Sequence, residues 1–262
     1  MSSTSDHSTF KNSSEDREST KVSRVQICGD GGEFVIIGNN KYYRHELMSI
    51  FSDISNPAPT IGRYPTRNIT PAPIGLCGFG MTAFTLGIYT SQAMGIQIPN
   101  VVIGSACFFG GMTQFLCGYF EFFTGDTFGF TALTSYGAFW ISYGAIFIEG
   151  FGIEAAYAES DQFANALGLV MIAWAMFTFM MVIPTLKSTL PNFLLFFFLF
   201  LTYTFLGAGA LSGKVGVTRA GGVIAMLTAI TAWYNAYEAV ANRSTSYFVP
   251  PSLPLPKLAK KE

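Results

Sequence analysis

The middle of the chain has very little charge. The 262 residues include 16 acidic and 15 basic side chains, so only 12% are charged, about half the fraction that is usual in globular proteins. The 167 residues from 74 to 240 hold ten of these charges. A water-soluble domain of that size needs a charged surface, which this segment cannot supply. The sequence therefore excludes an ordinary soluble protein and predicts an all-α integral membrane protein.

The residues that other functional classes need are also scarce. The formal net charge is −1 without a basic block, so binding to nucleic acid has no electrostatic support. The only histidines are His7 and His45, which leaves the apolar region without residues for a histidine proton relay or a histidine-lined ammonia pore. The four cysteines form no CxxC pair, and no P-loop, HExxH or Ser/His/Asp pattern occurs there. We predict no enzyme activity, no cofactor and no metal site.

What the sequence does contain is six apolar stretches long enough to cross a bilayer, which takes about 20 residues. The third and sixth also hold several threonines and tyrosines. Membrane helices usually turn a face that carries hydroxyl groups toward neighbouring helices or water rather than lipid. We therefore expect a bundle of six transmembrane helices around a polar path. The stretches run roughly over 74–94, 98–120, 127–148, 163–184, 190–211 and 220–240.

Flanking residues predict the orientation and the boundaries of the segments. Arg63 and Arg67 precede the first span and Lys187 follows the fourth, whereas the loop over 149–161 is purely acidic, so both termini are predicted to be cytosolic. Residues 1–26 are expected to be a disordered tail. Residues 27–69 form a cytosolic segment in which 33–43 fits a hairpin at the cytosolic mouth; the alternative is an isolated, marginal hairpin. Residues 70–241 are the transmembrane domain, and 242–262 are a cytosolic C-terminal tail.

The start of the first span has the features of an anion site. Thr70 is expected to be the N-cap of a helix whose first turn holds Pro71, Ala72 and Pro73. A helix N-terminus at the membrane boundary offers free N–H groups and the positive end of the helix dipole. The alternative is a plain signal for helix initiation.

Ionisable and aromatic residues inside the spans are further candidates. Acidic groups in membrane helices indicate function by default, and Glu121, at the end of the second span, is the candidate for proton handling; here it is expected to reach the interface. The alternative is that Glu121 or Asp126 is solvated or stabilises the start of the third helix. Phe79, about one turn into the first helix, and Tyr136, within the third, are candidate gates, with plain packing as the alternative. A buried Tyr136 hydroxyl needs a partner.

Four motifs in residues 70–240 identify a family. They are PAPIGLCGFGMT from Pro71, FFGGMTQFLCGYFE from Phe108, GDTFGFTALTSYGAFW from Gly125, and AGG with WYNAY in the sixth span. In these motifs the chain resembles the acetate uptake transporter family, which includes the yeast acetate and ammonia-outward proteins and the bacterial succinate–acetate permease.

The resemblance implies a plasma-membrane homohexamer in which each subunit, surrounded by lipid, has its own path for acetate and related small monocarboxylates. It also implies a constriction of Phe79, Tyr136 and a leucine of the fifth helix. This leucine is expected to be Leu199, and Leu201 is the alternative if the match to the family motif is shifted. Thr70 stands where the family has asparagine; threonine keeps an oxygen for capping but loses the amide, which puts the affinity or the substrate range in question.

The resemblance also makes physical sense for a small carboxylate, which loses hydration in an apolar pore at a cost of several kcal/mol. We expect N–H groups of the turn from Pro71 to Gly75, with hydroxyls of Tyr136, Thr82 and Thr131, to replace that water on either side of the constriction. The substrate then passes with a proton, or as an anion through a channel-like path. The alternatives are ammonium or ammonia export, and a non-transporting acetate sensor.

Overall fold

The computed structural model describes residues 25–29, 31–38, 40–55, 70–243 and 246–256, with the side chains of 50–55 not described. The chain divides into two units, residues 1–68 and 69–262. The predicted disordered tail over 1–26 lies outside the described residues except for Val25 and Gln26, and Gln26 begins a strand.

The first unit contains a small antiparallel sheet in the order β1 (Gln26–Cys28), β2 (Phe34–Ile37) and β3 (Asn40–Tyr43), followed by helix α1 (Arg44–Ser55). Strands β2 and β3 pair from Phe34–Tyr43 to Ile37–Asn40, in the region where a hairpin was predicted. Gly38 lies between them at φ +63°, a conformation that glycine adopts without a steric penalty. The three residues of β1 are too few to show an alternating pattern, so the sequence did not predict that strand. A location at the cytosolic mouth stays a prediction.

The second unit is helical. One continuous helical rod consists of α3 (Val102–Cys107), a π-helical segment (Phe108–Thr113) and α4 (Gln114–Thr124). The other long helices are α2 (Ala72–Thr90), α5 (Thr127–Ile146), α6 (Phe163–Thr185), α7 (Leu190–Ser212) and α8 (Val215–Val240).

Five of these helical segments are long and apolar enough to cross a membrane: α2, the rod over residues 102–124, α6, α7 and α8. They confirm five of the predicted spans as helices of that kind. Helix α5 forms where the third span was predicted and has 20 residues without a charge, but its threonines, serines and tyrosines make it less apolar than the other five. That α5 also crosses the bilayer stays a prediction.

Identifiable residues begin and end the helices. Asp126 caps α5 by accepting a hydrogen bond from the Gly129 N–H at 3.0 Å, which confirms that this carboxylate stabilises the start of the third predicted span. Gly125 ends α4 at φ +79°, a usual helix stop. Because that stop comes after Thr124, the second span continues past the predicted end at 120, and Glu121 lies inside the helix. Helix α8 begins five residues before the predicted start at 220.

Small residues allow the helices to approach closely, as is common in membrane bundles. Helix α2 packs against α8, α8 against α7, α7 against α6, and α4 against α5. A Cβ added to Gly87 of α2 would lie 2.6 Å from the Gly222 carbonyl oxygen of α8. Gly168 of α6 and Gly207 of α7 face each other in the same way. The high glycine content therefore serves helix contacts.

The C-terminal segment is extended and bound to the helices. The Leu190 N–H donates to the Leu253 carbonyl at 2.8 Å, and the Leu255 N–H donates to the Ser188 carbonyl at 3.0 Å. The Tyr234 hydroxyl of α8 donates to the Pro251 carbonyl at 2.8 Å. Residues 246–256 thus connect the loop between α6 and α7 with the end of α8.

Candidate functional site

A cavity of about 320 Å³ lies among α2, α5, α6, α7 and α8, at the lower end of the sizes of small-ligand sites. It occupies the half of the bundle that holds the C-terminal ends of α2 and α7 and the N-terminal end of α8. With the predicted orientation this is the outer half. Its described walls are aromatic and aliphatic, with several hydroxyl groups, two glutamines and no charged side chain.

The predicted constriction lies at the inner end of this cavity. The rings of Phe79 and Tyr136 have centroids 6.2 Å apart, and each residue is only 3% exposed. They come one turn before Ala83 and Trp140, which line the cavity, so they form the next layer inward. Leu199 lines the cavity and belongs to the same buried cluster, whereas Leu201 does not. The structure therefore brings the three predicted residues into one region. Phe79 lies about two turns into α2, not one.

The hydroxyl of Tyr136 has the partner that burial was predicted to require. It donates to Thr178 Oγ1 of α6 at 3.0 Å, and both groups are buried. This bond holds the phenol toward α6. The sequence offered no signal for Thr178, because the two residues are 42 positions apart.

The predicted anion site at the start of α2 is occupied by the protein's own carboxylate. The Ala72 N–H donates to Glu121 Oε1 at 2.9 Å, and the Thr124 hydroxyl donates to Glu121 Oε2 at 2.6 Å. The carboxylate thus lies at the positive end of the α2 dipole. Glu121 is buried, so the expectation that it reaches the interface was wrong.

The predicted N-cap was also wrong. Pro71 occupies the cap position of α2, and no side chain makes a cap hydrogen bond there. The physical reason is that Glu121 supplies the acceptor from a neighbouring helix. Thr70 is exposed, and its predicted contact with substrate stays a prediction.

Three other predicted substrate-binding residues do not line the cavity. The Thr82 hydroxyl is fully buried and donates to the Ser105 carbonyl of α3 at 3.4 Å. The Thr131 hydroxyl donates to the Thr127 carbonyl of its own helix at 2.8 Å. A Cβ at Gly75 would lie 3.1 Å from Cys117 Cβ, so this glycine serves the contact between α2 and α4.

The hydroxyls that do line the cavity come from other helices. Thr202 Oγ1 of α7 and Thr228 Oγ1 of α8 lie 3.1 Å apart, and both residues are buried. Tyr143 and Tyr203 also line the cavity. The polar character of the third and sixth spans pointed toward Tyr143 and Thr228, and no signal in the sequence pointed toward Thr202 or Tyr203.

The rim of the cavity carries a cation. Nε of Arg219, in the first turns of α8, donates to Gln92 Oε1 at 3.0 Å, and Nη2 of Arg219 contacts the same oxygen. Gln92 lines the cavity. The guanidinium thus binds a neutral amide and keeps its positive charge beside the opening, where it favours the approach of anions.

The chain matches a known protein family over most of its length. Residues 54–257 match the model of the GPR1/FUN34/yaaH family. The chain belongs to this family.

Relatives within the GPR1/FUN34/yaaH family cover most of the chain. Ammonia transport outward protein 2 of Saccharomyces cerevisiae is 42% identical over 250 residues, which are 93% of this chain and 88% of that protein. The succinate-acetate/proton symporter SatP of Escherichia coli is 32% identical over 177 residues, 68% of this chain and 91% of its own. The solved structure of the bacterial acetate channel SatP aligns with a TM-score of 0.64 at 30% identity, covering 71% of this chain and 99% of that one. These names describe transporters and a channel.

Proposed function

We propose that this member of the GPR1/FUN34/yaaH family carries acetate and other small monocarboxylates across the plasma membrane. The observation that carries the proposal is an uncharged cavity of about 320 Å³ that ends at the buried pair Phe79–Tyr136. The family assignment supports it, because SatP relatives are named for acetate.

The constriction of Phe79, Tyr136 and Leu199 selects by size and polarity. Two rings in contact and a buried leucine leave a short apolar neck. Such a neck excludes hydrated ions, because water leaves it and the ion would lose its hydration. A two- to four-carbon acid loses less, since its alkyl group favours apolar surroundings.

Proton coupling is the second part of the proposal. One relative is named a proton symporter, and the solved relative is titled a channel. Glu121 is the buried carboxylate among the described residues, and it remains our candidate for proton handling. Its carboxylate accepts hydrogen bonds from the Ala72 N–H and the Thr124 hydroxyl, so it connects α4 with the first turn of α2.

The proposal is tested by uptake of labelled acetate into liposomes that hold the purified protein, with and without an inward proton gradient. We expect uptake above that of protein-free liposomes, which measure the passive entry of acetic acid, and an increase with the gradient. Uptake that ignores the gradient would assign a channel for the anion. No uptake by folded protein would contradict the proposal, and acetate binding without uptake would favour a sensor.

Ammonium is the second candidate. The name of the yeast relative supports it, as do the rings of Phe139, Trp140 and Tyr143 in the cavity wall, because aromatic faces attract cations. Competition against labelled acetate separates the two substrates. Excess propionate should inhibit the uptake of labelled acetate through a carboxylate path. Inhibition by methylammonium but not by propionate would favour ammonium as the substrate.

A further inference from the structure

The cavity contains a buried donor without an acceptor. Trp140 lines the cavity and is 3% exposed, and its indole Nε1 has no hydrogen-bond partner among the described residues. Buried polar groups are nearly always paired, because a donor that loses water without gaining an acceptor destabilises the protein. Trp140 also contacts Phe79, with ring centroids 6.4 Å apart, so this donor belongs to the layer directly outside the constriction.

A second free donor lies near the first. Tyr203 of α7 lines the cavity and is equally buried. Within the described part of the chain its hydroxyl makes no hydrogen bond, in contrast to the Tyr136 hydroxyl, which is bound to Thr178. Both Trp140 and Tyr203 pack against Phe139, at centroid distances of 5.2 Å and 5.0 Å. The two donors therefore come from two helices, and both of their side chains contact the ring of Phe139.

We propose that the Trp140 indole N–H and the Tyr203 hydroxyl are the two donors that hold the carboxylate of the substrate at the floor of the cavity. This inference rests on the proposed function. An ionised carboxylate only accepts hydrogen bonds, so it matches two unpaired donors in a wall without charge. The indole N–H cannot accept, so this pair does not suit an ammonium ion. Ala83, Leu86 and Met171, in the same wall, offer an apolar surface for the alkyl group.

The site explains how a neutral pocket can bind an anion and release it. Hydrogen bonds to a charged group are stronger than those between neutral groups, yet without a cation there is no ion pair to break. The next step for the substrate is the constriction, since Phe79 contacts Trp140 and Tyr136 contacts Tyr203. Trp140 and Tyr203 are thus positioned to bind the carboxylate just before it enters the constriction.

Two substitutions remove one donor each and keep an aromatic ring: Trp140→Phe and Tyr203→Phe. We expect each to raise the KM of uptake about tenfold for acetate and propionate alike, the effect of losing one hydrogen bond to a charged group. Acetate binding measured by calorimetry in detergent should weaken by the same factor. Trp174→Phe is the matched control, because Trp174 packs against Tyr203 at 6.2 Å but does not line the cavity.

The outcomes separate this inference from the proposed function. If KM and acetate binding are unchanged in both variants, the inference is overturned. The proposed function still holds in that case, provided that the original protein takes up acetate. A change for propionate alone would also overturn it, since it would show a role in size selection. If the original protein binds acetate without uptake, the proposed function fails, and weaker binding by the two variants still supports the inference. Should Trp140→Phe not fold, Tyr203→Phe decides.

Discussion

Glu121 is a charged residue that the membrane region keeps buried, and its bonds explain how. Its two carboxylate oxygens accept hydrogen bonds from the Ala72 N–H and the Thr124 hydroxyl. The first of these groups is a free donor at the start of α2, where the helix dipole is positive. The carboxylate therefore joins α4 to the first turn of α2.

Replacing Glu121 by alanine should destabilise the protein. The Ala72 N–H would lose its acceptor, and we expect a loss of about 2 kcal/mol in the free energy of unfolding. Glu121→Gln keeps one acceptor oxygen and should lose less. Thermal unfolding in detergent measures both, with Glu149→Gln, at an exposed position outside the helices named above, as the control.

The same variants test proton handling at this residue. If the Glu121→Gln variant folds and takes up acetate but does not respond to the proton gradient, then Glu121 carries the proton that is coupled to uptake. A full response to the gradient would leave Glu121 with a structural role only. An alanine variant as stable as the original protein would contradict the cap itself.

At the scale of the elements, close contact between helices depends on glycine. A Cβ at Gly118 of α4 would lie 2.8 Å from the Thr134 Cα of α5, which is well inside van der Waals contact. Gly104, earlier in the same rod, has open space at the corresponding position. The two glycines share a helical backbone and differ in what surrounds them.

This difference predicts opposite effects of alanine. Gly118→Ala should force α4 and α5 apart and cost about 1–3 kcal/mol, which would appear as unfolding at a lower temperature. Gly104→Ala should be neutral or stabilising by about 0.5–1 kcal/mol, because alanine favours a helix. Equal effects of the two substitutions would contradict the assigned packing of α4 on α5.

The helices themselves could be predicted because their signals are local. Long apolar runs indicated every long helix, and a role of Asp126 at the start of α5 was one of the alternatives that the sequence left open. The π-helical segment from Phe108 to Thr113 could not be predicted, since a local change of winding leaves the apolar run intact. The sequence placed the N-cap of α2 at Thr70. The acceptor in the structure, Glu121, is 49 residues from Ala72, and no local pattern connects the two residues.

The cavity could be predicted only in part for a similar reason. The family motifs led to Phe79, Tyr136 and Leu199, which the structure brings together. The pair Thr202–Thr228, 26 residues apart, depends on how α7 packs on α8. Thr82 and Thr131 were selected for their hydroxyls, but which side of a helix faces the cavity is decided by that packing.

At the scale of the whole molecule, we propose one path for the substrate through each subunit. On this proposed path an anion meets Arg219, which binds Gln92 of the cavity wall, then enters the uncharged cavity, binds near Trp140 and passes the proposed neck of Phe79, Tyr136 and Leu199. The homohexamer, the plasma membrane and the cytosolic termini stay predictions. The neck is the central claim, because it is what would make the path selective for small acids.

The measurement that tests this claim most directly is the ratio of hexanoate to acetate uptake by the original protein, Tyr136→Ala and Leu199→Ala, because a six-carbon acid lies outside the proposed range of two to four carbons. A widened neck should raise the ratio by about tenfold or more, the range by which a hydrophobic pocket discriminates one methylene group. Leu169→Ala is the control, since that side chain is 63% exposed on α6 and does not line the cavity. An unchanged ratio in both neck variants, with uptake retained, would contradict the account.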